Sequence, residues 1–290
     1  PLAKEQVEIF LRAFGQKFGN STLKFVDKKY FKTSGDKFLN KRISEIGNKG
    51  LFTKEIDDAQ LNKKVDIAIH SLKDLPTELP KGLHLAGVLK REDPNDAVFS
   101  LKEIKLNKSK KKLIVGTSSI RRKVQLQKLN SRIEVRDIRG NVGTRIKKVS
   151  DGKYDCIILA TAGLKRLKIM KNFKKIDIRN IIPSAGQGVI AIVTSKNKII
   201  EKLIKELNHT RTFIESDCER LFLKSLDGSC RTPIGAIAKI VKKEKKDYLF
   251  LRYMASSLDG KRLVKGNTFF KLKSYKKMSL DLGKKIKKLI

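Results

Sequence analysis

Two residues and one cluster have the types and surroundings that chemistry requires: Asp74, Cys230, and the arginines from Arg121 to Arg145. Asp74 follows Val65-Asp66-Ile67-Ala68-Ile69, an apolar run that predicts a buried strand. It lies in the loop His70-Ser71-Leu72-Lys73-Asp74-Leu75-Pro76 at that strand's carboxyl end, where open α/β sheets bind their ligands. Lys73 is its neighbour, and Lys49, Lys54 and the arginine cluster are candidates to surround the same cleft and hold the carboxylate ionised. Such an anion stabilises a transient cation on a substrate or relays a proton. An equally weighted alternative is a helix N-cap ahead of Leu75-Pro76. Cys230 follows Gly228 and Ser229 just past a predicted helix end. That setting suits a reactive thiol or an attachment point, with a small hydrophobe in a turn as the plainer reading. Cys156, inside an apolar strand, and Cys218, on an amphipathic helix, read as core.

The arginine cluster reads as a site for a ligand with many negative charges. Leu113-Ile114-Val115 predicts a strand, and Gly116-Thr117-Ser118-Ser119 a turn ending in an N-cap. The helix from Ile120 to about Leu129 then carries Arg121 and Arg122 in its first turn. Two cations there oppose the positive end of the helix dipole unless an anion faces them. A second strand, Ile133 to Arg136, runs into the expected loop Arg139-Gly140-Asn141-Val142-Gly143-Thr144-Arg145. Six of the chain's 16 arginines fall in this stretch, and the guanidinium fork suits carboxylate or phosphate. A solvated basic face is the plainer alternative.

At 290 residues the chain is long enough for two or three domains with their own cores. Its 67 lysines and arginines exceed its 30 aspartates and glutamates by 37. That excess attracts nucleic acid or acidic membrane without selectivity, although the few tyrosines and absent tryptophan speak against a stacking platform. Three cysteines make no disulfide framework, so a reducing cytoplasm is expected. No apolar run approaches a membrane span. Neither zinc-ligand spacing nor a dinucleotide fingerprint occurs, and no metal is expected.

The elements that must position these residues follow from periodicity. A helix opens the chain, with Leu2, Val7, Ile9, Phe10 and Phe14 on one face, and Leu23 to Val26 reads as a strand. Lys64-Val65-Asp66-Ile67-Ala68-Ile69 is echoed by Lys153-Tyr154-Asp155-Cys156-Ile157-Ile158, which points to two similar halves. Arg91-Glu92-Asp93-Pro94 and Ile182 to Gly188 are the expected crossings between them. From Asn208 the pattern changes: an amphipathic helix over Thr212 to Leu226, strands at 234–241, 248–254 and 262–270, and a final lysine-rich helix over Leu280 to Ile290 predict a small α+β unit.

Six ordered motifs then carry a resemblance: Val65 to Pro76 with Arg91-Glu92-Asp93-Pro94, Val115 to Arg122, Arg139 to Arg145, Ala162-Gly163-Leu164-Lys165-Arg166-Leu167, Ala185-Gly186-Gln187-Gly188, and Gly228-Ser229-Cys230. Together, over essentially the whole chain, they resemble the hydroxymethylbilane synthase (porphobilinogen deaminase) family. The resemblance implies two doubly wound α/β domains of periplasmic-binding-protein type, formed by residues 1–89 with 189–207 and by 93–183. A small α+β domain, 209–290, would carry a dipyrromethane cofactor on a cysteine thioether. It implies that four porphobilinogens are condensed head to tail with loss of ammonia, and that water releases the linear tetrapyrrole. By position, Asp74 becomes the catalytic carboxylate and Cys230 the attachment cysteine. Ser71, Lys73, Ser119, Arg121, Arg122, Arg139 and Arg145 would bind the cofactor, and Lys49, Lys54 and Arg166 the substrate. A cytoplasmic monomer acting on a small molecule is expected, without a specific nucleic-acid or membrane partner.

The family pattern has an Ala-Thr-Arg-x-Ser strand before Pro-Leu-Ala, whereas this chain begins at Pro1 and is expected to be truncated there, with its other end as a second such place. Asn48, Ser34 and Val193 stand where the pattern has glycine, arginine and glutamate. The competing classes are a non-catalytic polyanion-binding protein of the same fold and a nucleic-acid binder with a basic face outside the cleft.

Overall fold

The computed structural model describes residues 2–33, 53–169, 171–228 and 232–290. Lys49 and Cys230 lie outside the described residues. Three sheets organise the rest. The first has the order β1–β8–β2, formed by β1 (Ile67–Ser71), β2 (Leu83–Val88) and the central β8 (Ile190–Ser195), which is antiparallel to both neighbours. Alternation along β8 explains its position. Ile190 and Ile192 pack with Phe10 and Leu11 of helix α1 (Leu2–Phe18) and Ile204 of α6 (Lys198–Leu207). Val189, Ala191 and Val193 face the opposite way, with Leu72, Val88 and Ile56 of α2 (Lys54–Leu61). A strand covered on both faces reads as an unbroken apolar run, as 189–193 does.

The second sheet has the order β5–β4–β6–β3–β7. Here β4 (Leu113–Gly116) runs parallel to β5 (Ile133–Arg136) and β6 (Cys156–Ala160), whereas β3 (Asp96–Phe99) runs antiparallel to β6 and to β7 (Phe173–Lys175). Helices α3 (Ile120–Leu129) and α4 (Val142–Ser150) cover opposite faces, with Leu126 among Val98, Val115 and Ile158, and Val149 among Phe99, Ile157 and Leu159. The reversed β3 has a consequence for the site. Its first residue, Asp96, pairs with Ala160 at the carboxyl end of β6, so an aspartate stands at the edge where the parallel strands finish.

The third sheet, β9 (Ile234–Lys243), β10 (Lys246–Ser256) and β11 (Leu263–Lys271), is an antiparallel meander. Glu244 and Lys245 form the two-residue turn between its first strands, both with positive φ (51° and 62°), as a tight hairpin requires. Helices α7 (Thr210–Ser225) and α8 (Tyr275–Lys287) bury Cys218, Phe222, Tyr275 and Ile286 against one face.

The two crossings run side by side: Glu92 N donates to Gly188 O at 3.1 Å. Gly188 has φ +87°, and a Cβ there would stand 2.4 Å from Glu92 O, so only glycine permits the approach. Fully buried Glu219 of α7 binds both crossings to the third sheet. Its carboxylate accepts from Arg91 Nη1 and Nη2 at 2.8 and 2.6 Å, Gly186 N at 2.7 Å and Ala238 N at 2.7 Å.

Two expected elements differ. Leu23 to Val26 is not a strand; residues 23–25 end a 3₁₀ turn, Asn20–Phe25. Arg139 to Arg145 is not all loop, because Asn141 Oδ1 accepts from Thr144 N at 2.9 Å and caps α4, which places Arg145 in a helical first turn. No helix among the described residues is long and apolar enough to cross a membrane.

Candidate active site

The ends of β1 and β4, the start of α1, the second crossing and the third unit meet around a cavity of about 540 Å³. From β1 and the turn after it come His70, Ser71, Lys73 and Asp74. Thr117, Ser118, Ser119, Arg121 and Arg122 come from the β4–α3 turn, Arg145 from α4, Ser184 and Gln187 from the crossing, and Gln6 from α1. Among its described lining residues, Asp74 is the one carboxylate.

Asp74 ends a short 3₁₀ turn, Leu72–Asp74, and the chain leaves it extended through Leu75. No helix follows, so the N-cap reading is discarded in favour of an aspartate that opens to the cavity. Although exposed, it is so surrounded by cavity wall that desolvation pushes its carboxyl above the usual range, against the pull of Lys73, Arg122 and a Ser71 hydrogen bond. Burial likewise pushes the Lys73 ammonium down, against the attraction of Asp74.

Ser119 caps α3, its Oγ accepting from Arg122 N at 3.4 Å. The anion that the two arginines of the first turn require is supplied by the chain itself. Asp96 Oδ2 accepts from Arg121 Nη1 at 2.8 Å, and Asp96 Oδ1 from Arg122 Nη2 at 2.6 Å and Gln187 Nε2 at 2.9 Å. Arg121 also reaches Ile182 O (2.6 Å) and Ser184 Oγ (3.0 Å), and Arg122 reaches Ile158 O (2.9 Å). Burial would raise the Asp96 carboxyl, but the two guanidiniums outweigh it and hold the group far below the usual carboxylate range. One aspartate neutralises one of two arginines. With Lys73, Arg145 and Asp74 added, the wall keeps a net positive charge. Arg145 has no carboxylate partner among the described residues; its Nε donates to Gly140 O at 2.7 Å, and burial, Arg122 and Arg139 all disfavour its charge.

Of the other expected site residues, Ser71, Lys73 and Ser119 line the cavity, whereas Lys54, Arg139 and Arg166 do not. Lys54 is exposed at the start of α2, Arg139 is half-buried, and Arg166, the last residue of α5 (Thr161–Arg166), is half-buried with Nη2 donating to Gly188 O at 2.7 Å. Thr232, two residues after Cys230, lines the cavity. The two described cysteines are fully buried, with thiols pushed up to about 12 by burial. Sequence reasoning missed Gln6, His70, Ser184 and Gln187 as parts of this wall, and Asp96 as the carboxylate behind Arg121 and Arg122. Gln6 carried a signal: it interrupts the apolar face between Leu2 and Phe10 at helical spacing.

Fold and site together define a mixed α/β protein with a cationic cleft that takes lining residues from two sheets and from the α+β unit, and one carboxylate among its described lining residues. The chain belongs to the porphobilinogen deaminase family. Residues 1–201 match the family model described as porphobilinogen deaminase, dipyromethane cofactor binding domain, and residues 213–290 match the porphobilinogen deaminase C-terminal domain. The porphobilinogen deaminase of a Nitratiruptor species is 41% identical over 261 residues, covering 89% of this chain and 83% of the relative. That of Francisella tularensis subsp. novicida is 43% identical over 237 residues, covering 81% and 77%. Among solved structures, the probable amino-acid ABC transporter extracellular-binding protein ytmK of Bacillus subtilis aligns with a TM-score of 0.43 at 14% identity, over 70% of this chain and 79% of that one.

Proposed function

We propose that this chain is a hydroxymethylbilane synthase: four porphobilinogens and one water give one linear hydroxymethylbilane and four ammonia. The observation that carries the proposal is Asp74, the one carboxylate among the described lining residues, opening into a cavity whose other charged groups are the cations Lys73, Arg121, Arg122 and Arg145. Each pyrrole unit brings an acetate and a propionate, so a growing chain accumulates negative charge that such a wall holds. Loss of ammonia leaves positive charge on the substrate, which a fixed carboxylate stabilises.

The donor set also suits dipyrromethane, an oligocarboxylate. Ser71, Lys73, Ser119, Arg121, Arg122, Arg139 and Arg145 are proposed to hold it and Cys230 to bond it covalently, a reading supported by Thr232 on the cavity wall and by the inert burial of Cys156 and Cys218. When bound, this group supplies the primer from which the pyrrole chain extends. Asp74 accepts the pyrrole N–H and opposes the developing cation. Lys73 and Arg122 favour the ionised form of Asp74, and with Arg121 they orient substrate carboxylates; Lys49, Lys54 and Arg166 are the further substrate contacts.

The three sheets support a division into residues 1–89 with 189–207, 93–183 and 209–290. The proposal extends to a cytoplasmic monomer with porphobilinogen as its small-molecule partner and no specific nucleic-acid or membrane partner. It is tested by porphobilinogen consumption together with intact mass and pyrrole colour with Ehrlich's reagent. Consumption and a pyrrole adduct on Cys230 are expected; a protein that binds porphobilinogen without turnover, and carries no adduct, would overturn it.

A further inference from the structure

Gln6 lies on α1, far from Asp74 in sequence, and lines the cleft without any role in the reaction assigned to it above. It is buried, at 4% exposure, and its Nε2 donates to Ser71 Oγ at 2.7 Å. A serine hydroxyl has one proton and rotates to suit its surroundings. Once its oxygen accepts from an amide fixed in a packed helix, that proton is left to be donated elsewhere. Ser71 begins the turn that ends at Asp74, and all three side chains line the same cavity.

We infer that Gln6 is a positioning residue for the reaction: it fixes the Ser71 hydroxyl so that Ser71 donates to the Asp74 carboxylate. The chain Gln6–Ser71–Asp74 thereby links the packing of α1 on the first sheet to the geometry of the reacting carboxylate. This rests on the reading of Asp74 as the carboxylate required in its ionised form.

The hydrogen bond from Ser71 favours ionised Asp74, which burial opposes. The other groups facing Asp74 are Lys73 in its own turn, Arg121 and Arg122 of α3 with Asp96 behind them, Arg145 of α4, and His70 of β1. Burial pushes His70 down to about 4, so it is neutral near pH 7. Lys73 and Arg122 favour the carboxylate directly and remain when Gln6 is changed. Losing the preorganised Ser71 donor therefore moves the acid limb of kcat to higher pH rather than abolishing turnover. A hydrogen bond to a charged group corresponds to about one pH unit.

The test is the pH profile of kcat for Gln6→Met, close in volume but unable to donate, and for Ser71→Ala and Ser71→Thr, all measured with the cofactor-loaded protein. Gln6→Met and Ser71→Ala should each move the acid limb up by about one unit. Their combination should move it no further than Ser71→Ala alone, and Ser71→Thr, which keeps the hydroxyl, should restore the wild-type limb. If Gln6→Met does not accumulate, the Ser71→Ala and Ser71→Thr pair decides. An unmoved limb in Gln6→Met or Ser71→Ala, or additive shifts in the double variant, would overturn the inference. Asp74→Asn separates the two failures: full turnover in that variant sinks the reading of Asp74, whereas lost turnover with an unmoved limb in Gln6→Met sinks the positioning role alone.

Discussion

At the scale of single residues, Asp74 combines two tendencies that usually exclude each other. Burial raises its pKa, while Lys73, Arg122 and Ser71 favour its charge, so it remains a base and anion whose proton affinity exceeds that of a surface aspartate. Turnover should therefore fall with decreasing pH through a value above the ordinary carboxylate 3.8, because a group with a raised pKa takes its proton earlier on acidification. Asp74→Asn should keep the fold and the bound pyrroles and lower kcat about 10²–10⁴-fold, the usual range for a lost proton-transfer or charge-stabilising group. Steady-state rates beside circular dichroism check both halves of that expectation. The cysteines divide as sharply. Cys230→Ser should lack the pyrrole adduct in intact mass, whereas Cys156→Ser and Cys218→Ser should retain it, any loss of stability there arising from a hydroxyl among apolar neighbours.

At the scale of elements, the antiparallel strand β3 brings Asp96 to the carboxyl edge of a sheet whose other inner strands are parallel. From there one buried carboxylate holds both arginines at the start of α3. Asp96→Asn removes the charge but leaves two buried guanidiniums, which should destabilise the fold by about 3–5 kcal/mol, as measured by urea denaturation. Because the folded pKa of Asp96 is depressed, its contribution is complete above the unfolded pKa and disappears as pH falls through the folded value. The pairing could not be read in the sequence, since Asp96 after Pro94-Asn95 has the signature of an ordinary turn and its partners are 25 and 26 residues away. What was legible was local. Unbroken apolar runs marked β6 and β8, and Ser119 marked the start of α3. The misleading pieces were local too: a short apolar run, Leu23 to Val26, with the pattern of a strand, and glycines around Asn141 that concealed a capped helix. Most cationic candidates were visible as residue types, but their division between lining the cavity, as for Arg145, and bracing a crossing, as for Arg166, depends on contacts that no spacing encodes.

At the scale of the whole molecule, the net charge of +37 is less informative than where cations lack nearby carboxylates. Some surface lysines meet glutamates or aspartates, as Lys28 meets Glu8 and Lys165 meets Glu92; in the cavity wall the cations are buried or half-buried and still in excess. Anionic substrate should be drawn to that wall, so the KM for porphobilinogen should rise with ionic strength while kcat changes little, because screening acts on encounter and binding. Bound pyrroles touching residues from more than one sheet should also raise the melting temperature by linkage, and Cys230→Ser should melt lower than the loaded protein for that reason. The central claim, that this cleft extends a covalently held pyrrole chain at Asp74, is tested most directly by intact mass spectrometry of the loaded protein after stoichiometric porphobilinogen. A ladder of added pyrrole units on the wild-type chain, absent from Asp74→Asn although that variant retains its cofactor mass, is the expected result. A wild-type chain that gains no units, or an Asp74→Asn chain with the same ladder, would contradict it.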